Sequence, residues 1–231
     1  MKEKARHLLD GGPHLSIGVL TSDLLRLGEE LALLEQAGAE LVHVDVMDGV
    51  FCPQMTVGPP FVGALAGPFL KDVHLMIQEP EAKLDAYVAA GADVIAFNVE
   101  GTRHPHRVLQ ALAGTEIVVG VALNPGTPLQ VVEPLLDLLD YVLLLAVNPG
   151  WSGQRFAEST AGRIRELREL AAGRELLIGV DGGITKDNVA AVAAMGPDLI
   201  VTGSAVFDGK APLDNARFML EQARSGVPAG R

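Results

Sequence analysis

His43 and Asp45 are separated by one residue in the apolar stretch 40–46 (ELVHVDV). Side chains alternate along a strand, so a strand here turns both toward one face. An imidazole beside a carboxylate can ligate a divalent metal or move a proton. The stretch 71–76 (KDVHLM) brings His74 toward the end of another apolar run. Asp181 ends a further run in Val180-Asp181-Gly182-Gly183. A lone His-x-Asp is most often an ordinary polar pair at a strand end. Two imidazoles and two carboxylates at the ends of three strands are a ligand set for Zn²⁺, Mn²⁺, Fe²⁺ or Co²⁺. Such a set leaves coordination positions for substrate oxygens.

Glycines supply the second kind of chemistry. Gly182-Gly183 follow the run that ends at Asp181, and Gly203-Ser204 follow 198–202 (DLIVT). Backbone N–H groups in such turns, with a short helix over 205–207, make an anion site suited to phosphate. A third loop, 148–153 (NPGWSG), carries Gly150 and Gly153 and is placed to close over a substrate. Met47 and Met76 continue the two histidine strands as core residues or as lining of the mouth. Cys52 reads as a free structural thiol. His104 and His106 flank Pro105 at a helix start, which favours a cap over a ligand pair. His7 and His14 fall in a polar N-terminal segment.

These residues need elements to position them. Short apolar runs at 15–20, 40–46, 71–76, 93–98, 116–122, 140–146, 175–180 and 198–202 read as strands. Helical patterns lie between them at 23–37, 80–90, 104–113, 128–137, 158–172, 186–195 and 212–224. Eight evenly spaced strands alternating with helices predict a single (β/α)₈ barrel, with an open doubly wound sheet as the runner-up. Active sites of that barrel lie at the C-terminal ends of the strands, where all four ligand-type residues stand. No composition break divides the chain, so residues 1–231 read as one domain, with a core over about 15–224 and a frayed tail over 225–231. The composition is 48% hydrophobic and only 4% aromatic, which suits parallel strands buried on both faces. A formal net charge of −11 gives no electrostatic footprint for nucleic acid. One cysteine excludes an intrachain disulfide, and no run is apolar for long enough to span a membrane. A cytoplasmic protein is the expectation.

In order along the chain stand His43-Val-Asp-Val-Met-Asp-Gly49, Asp72-Val-His-Leu-Met76, Val121-Ala-Leu-Asn-Pro125, Val147-Asn-Pro-Gly150 with Gly153-Gln154, Val180-Asp-Gly-Gly-Ile184 and Gly203-Ser-Ala-Val-Phe207. From about Leu15 to Phe207 this pattern resembles the ribulose-phosphate 3-epimerase family. The resemblance implies that His43, Asp45, His74 and Asp181 hold one divalent metal ion. It implies that Asp45 and Asp181 double as the acid/base pair on opposite faces of a phosphorylated sugar. It also implies a homo-oligomer. The implied reaction is epimerisation at C3 of a ketose phosphate, ribulose 5-phosphate to xylulose 5-phosphate, through an enediolate. The chain departs from the family pattern at Gly18, where a substrate-facing serine is usual. It departs at Asn98, where a histidine is usual. Leu145 and Ala146 replace a methionine and its small hydroxyl neighbour, and Trp151-Ser152 replace Phe-Gly. Competing readings are an epimerase of allulose 6-phosphate or a tetrulose phosphate, and a non-catalytic phosphosugar-binding barrel. The Asp45/Asp181 pair weighs against the last. Barrel synthases and decarboxylases that share the phosphate site usually carry Asp-x-Lys, which Asp45-Val46-Met47 does not supply.

Overall fold

Alternation along the second strand, β2 (Leu41–Met47), sets the logic of the molecule. Val42, Val44 and Val46 pack outward into one large apolar layer, whereas Leu41 belongs to a separate inner cluster. His43 and Asp45 share the inner face with Leu41, as period two requires. A computed structural model describes residues 2–226 and shows eight such strands. The others are β1 (His14–Gly18), β3 (Leu70–Met76), β4 (Val94–Asn98), β5 (Val118–Leu123), β6 (Tyr141–Leu145), β7 (Leu177–Asp181) and β8 (Leu199–Thr202). Each pairs in parallel with the next, and β8 pairs with β1, so the sheet closes without an edge. The expected barrel is thus the observed one, and all eight predicted strands fall where they are found.

Helices cover the outside. An N-terminal helix, α1 (Glu3–Leu9), precedes the barrel. It is followed by α2 (Leu27–Ala37), α3 (Pro59–Ala64), α4 (Leu84–Ala89), α5 (Pro105–Leu112), α6 (Thr160–Ala171), α7 (Val189–Ala194) and α8 (Pro212–Ser225). Between β5 and β6 runs a 3-10 segment, Leu129–Leu138, where an ordinary helix was expected. Pro134 inside it has no N–H to donate and crowds the carbonyl four residues back, so the tighter turn replaces the α-helix. Two helices were not foreseen. α3 is a single short stretch opened by two prolines, and α1 lies in a segment read only as polar. α1 contributes Ala5 and Leu8, both fully buried, to the inner cluster that fills the barrel. α8 extends to Ser225, one residue into the span read as a tail; the rest of that span from 227 on lies outside the described residues.

The lumen is packed, not hollow. Tyr141 is the largest inward side chain, 1% exposed, and the strands beside it carry glycine. A Cβ at Gly120 would come within 2.7 Å of the Tyr141 ring, and one at Gly179 would collide with its hydroxyl. Above this plug, toward the C-terminal ends of the strands, the inner face turns polar.

Candidate active site

Strand register brings the four ligand-type residues together. Asp45 lies level with His74 across β2 and β3, and Asp181 ends β7. His43, Asp45, His74 and Asp181 each offer one ligand atom, and these atoms lie within 4.8 Å of one another. Asp45 Oδ1 sits 3.2 Å from both His43 Nε2 and His74 Nδ1, and Asp181 Oδ2 is 3.9 Å from His74 Nδ1. Both histidines are fully buried, whereas the two aspartates open toward the mouth.

Each imidazole is held from behind through its other nitrogen. His43 Nδ1 donates to Asp72 Oδ2 at 2.7 Å, and the same oxygen accepts from Ser16 Oγ at 2.8 Å. His74 Nε2 donates to Asn98 Oδ1 at 2.9 Å. The nitrogens left over, His43 Nε2 and His74 Nδ1, point at the carboxylates. Two oriented imidazole nitrogens and two carboxylates converging on one point fit a divalent first-row metal, and the outer partners are of the kind that orient metal-bound histidines. Of these partners, Asp72 was legible in principle, since it lies two residues before His74 on one strand.

Charge separates the two aspartates. Burial alone would raise the pKa of Asp45, but His43 and His74 overcome it and hold the carboxyl well below the usual range. Asp181 moves the other way, up to about 6, because it is buried and faces the negative charge of Asp45. Burial disfavours the charged form of His43, yet Asp72 and Asp45 together lift its pKa well above that of a free imidazole. The two environments thus push the carboxyls apart: Asp45 stays ionised well below neutrality, and Asp181 takes up a proton only below about 6.

A cavity of about 470 Å³ opens over this cluster. His43, Asp45 and Asp181 reach it from below, with Met47, Met76, Leu145 and Gly18 on its walls. Gly182, Gly183, Gly203 and Ser204 line one side, and the loop with Gly150 and Gly153 lines another. His74 is buried just behind the carboxylates. Gly183 has φ 69°, and a Cβ there would come 2.6 Å from Phe156 N; at Gly203 a Cβ would come 2.8 Å from Thr21 Oγ1. Only glycine permits this approach. Among the described residues no hydrogen bond engages the N–H of Gly183 or Ser204, so both remain for an anion. The expected helix at 205–207 is a single turn, closed by Val206 and Phe207 N–H groups donating to Gly203 O. Gly150, at φ 110°, seats the 148–153 loop against Cys52 and Pro53. Gln154 ties that loop together through Asn148 and Trp151. Cys52 is free and buried and stands apart from the ligand cluster. His104 occupies the N-cap position of α5 without a side-chain capping bond, and Pro105 opens the helix.

Fold and cluster together define a (β/α)₈-barrel enzyme whose mouth is equipped for acid–base chemistry around a metal. Residues 14–207 match the ribulose-phosphate 3 epimerase family, and the chain belongs to that family. It is 44% identical over 193 residues to the ribulose-phosphate 3-epimerase of Rhodobacter capsulatus, covering 83% of this chain and 84% of the relative. The enzyme of that name from Bacillus subtilis is 42% identical, over 82% of this chain and 89% of its own length. The chloroplastic ribulose-5-phosphate-3-epimerase of Arabidopsis thaliana is 43% identical, over 85% and 72%. The fold alone is shared with 3-hexulose-6-phosphate synthase from Salmonella typhimurium, at TM-score 0.66 and 18% identity over 91% of this chain and 98% of that one.

Proposed function

We propose that this chain epimerises ribulose 5-phosphate and xylulose 5-phosphate at C3, with Asp45 and Asp181 as the two proton carriers. The observation that carries the reading is the convergence of these two carboxyls with the oriented rings of His43 and His74 at one cavity floor. The C3 proton is acidified by the adjacent C2 carbonyl. Inversion requires its removal on one face and delivery of a proton on the other. One aspartate would take the C3 proton and the other would deliver a proton to the opposite face; in the reverse direction the roles exchange. His43, Asp45, His74 and Asp181 would hold one divalent metal, which would supply electrostatic stabilisation of the negative charge that develops as the proton leaves. Met47, Met76 and Leu145 keep the reacting region apolar and strengthen those electrostatic interactions. The free N–H groups at Gly183 and Ser204, with the glycine backbone of 182 and 203, would bind the phosphate and hold the sugar in register. The loop carrying Gly150 and Gly153 would cover it.

The reading takes residues 1–231 as one domain, because β8 closes onto β1 and the outer and inner apolar clusters are both built on the strands of that one barrel. It carries a small phosphorylated sugar as partner, cytoplasmic residence and a homo-oligomer. Exposed apolar side chains such as Leu25 and Phe218 offer surface for self-association. No helix among the described residues is long and apolar enough to cross a membrane. The test is a panel of ketose phosphates assayed with Zn²⁺, Mn²⁺, Fe²⁺ or Co²⁺ in deuterated water. Deuterium entering C3 of ribulose 5-phosphate together with its epimer supports the reading. No exchange with any metal or sugar would leave only a binding barrel.

A further inference from the structure

His74 is oriented by a chain of hydrogen bonds that starts two residues beyond the end of β4. Glu100 Oε1 accepts from the backbone N–H of Asn124 at 2.9 Å and from the Thr127 hydroxyl. Asn98 Nδ2 donates to Glu100 Oε2 and to Asn124 Oδ1, each at 3.1 Å, and Asn98 Oδ1 lies 2.9 Å from His74 Nε2. Asn98 is 1% exposed, so water cannot substitute for these partners. Arg163 braces the far end, donating to the carbonyls of Asn124, Pro125 and Thr127.

The direction of every bond follows from the chemistry of its groups. An ionised carboxylate accepts only. Asn98 must therefore turn its NH₂ toward Glu100, which leaves its carbonyl oxygen for His74. An amide turned the other way would set oxygen against oxygen at Glu100. With the carbonyl facing it, His74 Nε2 must carry a proton, so Nδ1, 3.2 Å from Asp45 Oδ1, is the nitrogen that can give its lone pair to a cation. We propose that Glu100, acting through Asn98, is a positioning residue that fixes the tautomer of His74 and so makes Nδ1 a metal ligand. The inference rests on the metal reading above and assigns a role to a residue outside the cavity. It also accounts for Asn98: an amide transmits the polarity of Glu100 because one end donates and the other accepts. His43 needs no relay, since Asp72 touches its Nδ1 directly.

Glu100→Gln tests the relay at nearly constant shape. The glutamine keeps its oxygen on Asn124 N–H and Thr127 and turns its NH₂ toward Asn98. Asn98 then flips, the Asn124 amide that accepts from it turns over to match, the Asn98 NH₂ faces His74 Nε2, and the proton moves to Nδ1. Zn²⁺ affinity, read by chelator competition, should fall about 10–100-fold, the usual effect of losing an outer partner. The ¹⁵N shifts of His74 in ¹⁵N-histidine-labelled protein should report the exchange of tautomer. The double variant Glu100→Gln/Asn98→Asp restores the polarity, because the carboxylate introduced by Asn98→Asp accepts both from His74 and from the amide introduced by Glu100→Gln. It should return His74 to the Nε2–H form and recover most of the lost affinity. A Glu100→Gln protein that keeps Nε2–H and wild-type affinity overturns the proposal, and so does a double variant that restores neither. If the single variant does not fold, the wild-type spectrum still decides, since a His74 ring without a proton on Nε2 contradicts the relay. If wild-type protein binds no Zn²⁺, the metal reading fails separately. The presence of a proton on His74 Nε2 in metal-free protein then stands as the test of the relay alone.

Discussion

Asp72 Oδ2 lies 2.7 Å from His43 Nδ1, and both side chains are completely buried. The contact fixes the ring and leaves Nε2 facing the cavity. Asp72→Ala strands His43 and Ser16 without their acceptor in a dry interior. Breaking such a buried pair costs about 3–5 kcal/mol. Urea unfolding of metal-free protein should show that loss. Asp72→Asn keeps an acceptor oxygen and should cost less, while still weakening Zn²⁺ binding by about tenfold or more. Equal stability of Asp72→Ala and the parent would contradict the assignment.

Removing one proton carrier should separate exchange from inversion. Asp45→Asn or Asp181→Asn leaves one carboxyl on one face of the sugar. Each variant should lose about 10²–10⁴ in epimerisation rate. With metal content checked by elemental analysis, each should still exchange the C3 proton of one epimer with deuterated water, and the two variants should favour opposite epimers. Exchange of both epimers by a single variant would mean that one residue serves both faces.

Metal uptake should release protons in a pattern set by the site. His43, with its pKa raised, is protonated in the neutral range and must free Nε2 to bind a cation. Asp181 is protonated only below about 6 and adds its own proton there. Zn²⁺ affinity should therefore fall as pH is lowered through neutrality, about tenfold per pH unit for each proton displaced. The fall should steepen below pH 6. Titrations from neutral pH down through the Asp181 range read the slope directly, and a pH-independent affinity would rule out both ligands.

Position 18 accepts a side chain. Gly18 has φ −68°, and a Cβ there would meet nothing nearer than Gly203 Cα at 3.4 Å. Gly18→Ser should leave stability within about 0.5 kcal/mol of the parent. A hydroxyl on the cavity wall should add one hydrogen bond to the sugar, raising kcat/KM on ribulose 5-phosphate about twofold to tenfold. Metal affinity should not change. A fall in kcat/KM would show that the open wall serves a different sugar.

The phosphate turns should respond unequally to substitution. Gly183→Ala places a methyl against Phe156 N at a φ that disfavours alanine. KM should rise by about tenfold or more, as expected when a binding group is displaced, and thermal stability should drop. Ser204→Ala keeps its backbone N–H and should change KM by only a few-fold. The reverse order would place the phosphate elsewhere.

Local pattern carried much of this protein. Alternation alone put His43 and Asp45 on one face of β2, and the repeated run of strand and helix signals predicted the closed barrel and its C-terminal mouth. Those features are short-range: period two and turn glycines are properties of a few adjacent residues. Pattern was weaker where an element is brief or proline-interrupted. α3 has only six residues, and Leu129–Leu138 has helical periodicity but the geometry that Pro134 allows. Which histidine each outer partner holds was decided by tertiary structure. Asp72 reaches His43 because β2 and β3 pair with those two residues level, and Asn98 reaches His74 across β3 and β4. Register between strands follows from packing of the whole barrel, so which nitrogen of each imidazole faces the cavity is written in no segment of the sequence by itself.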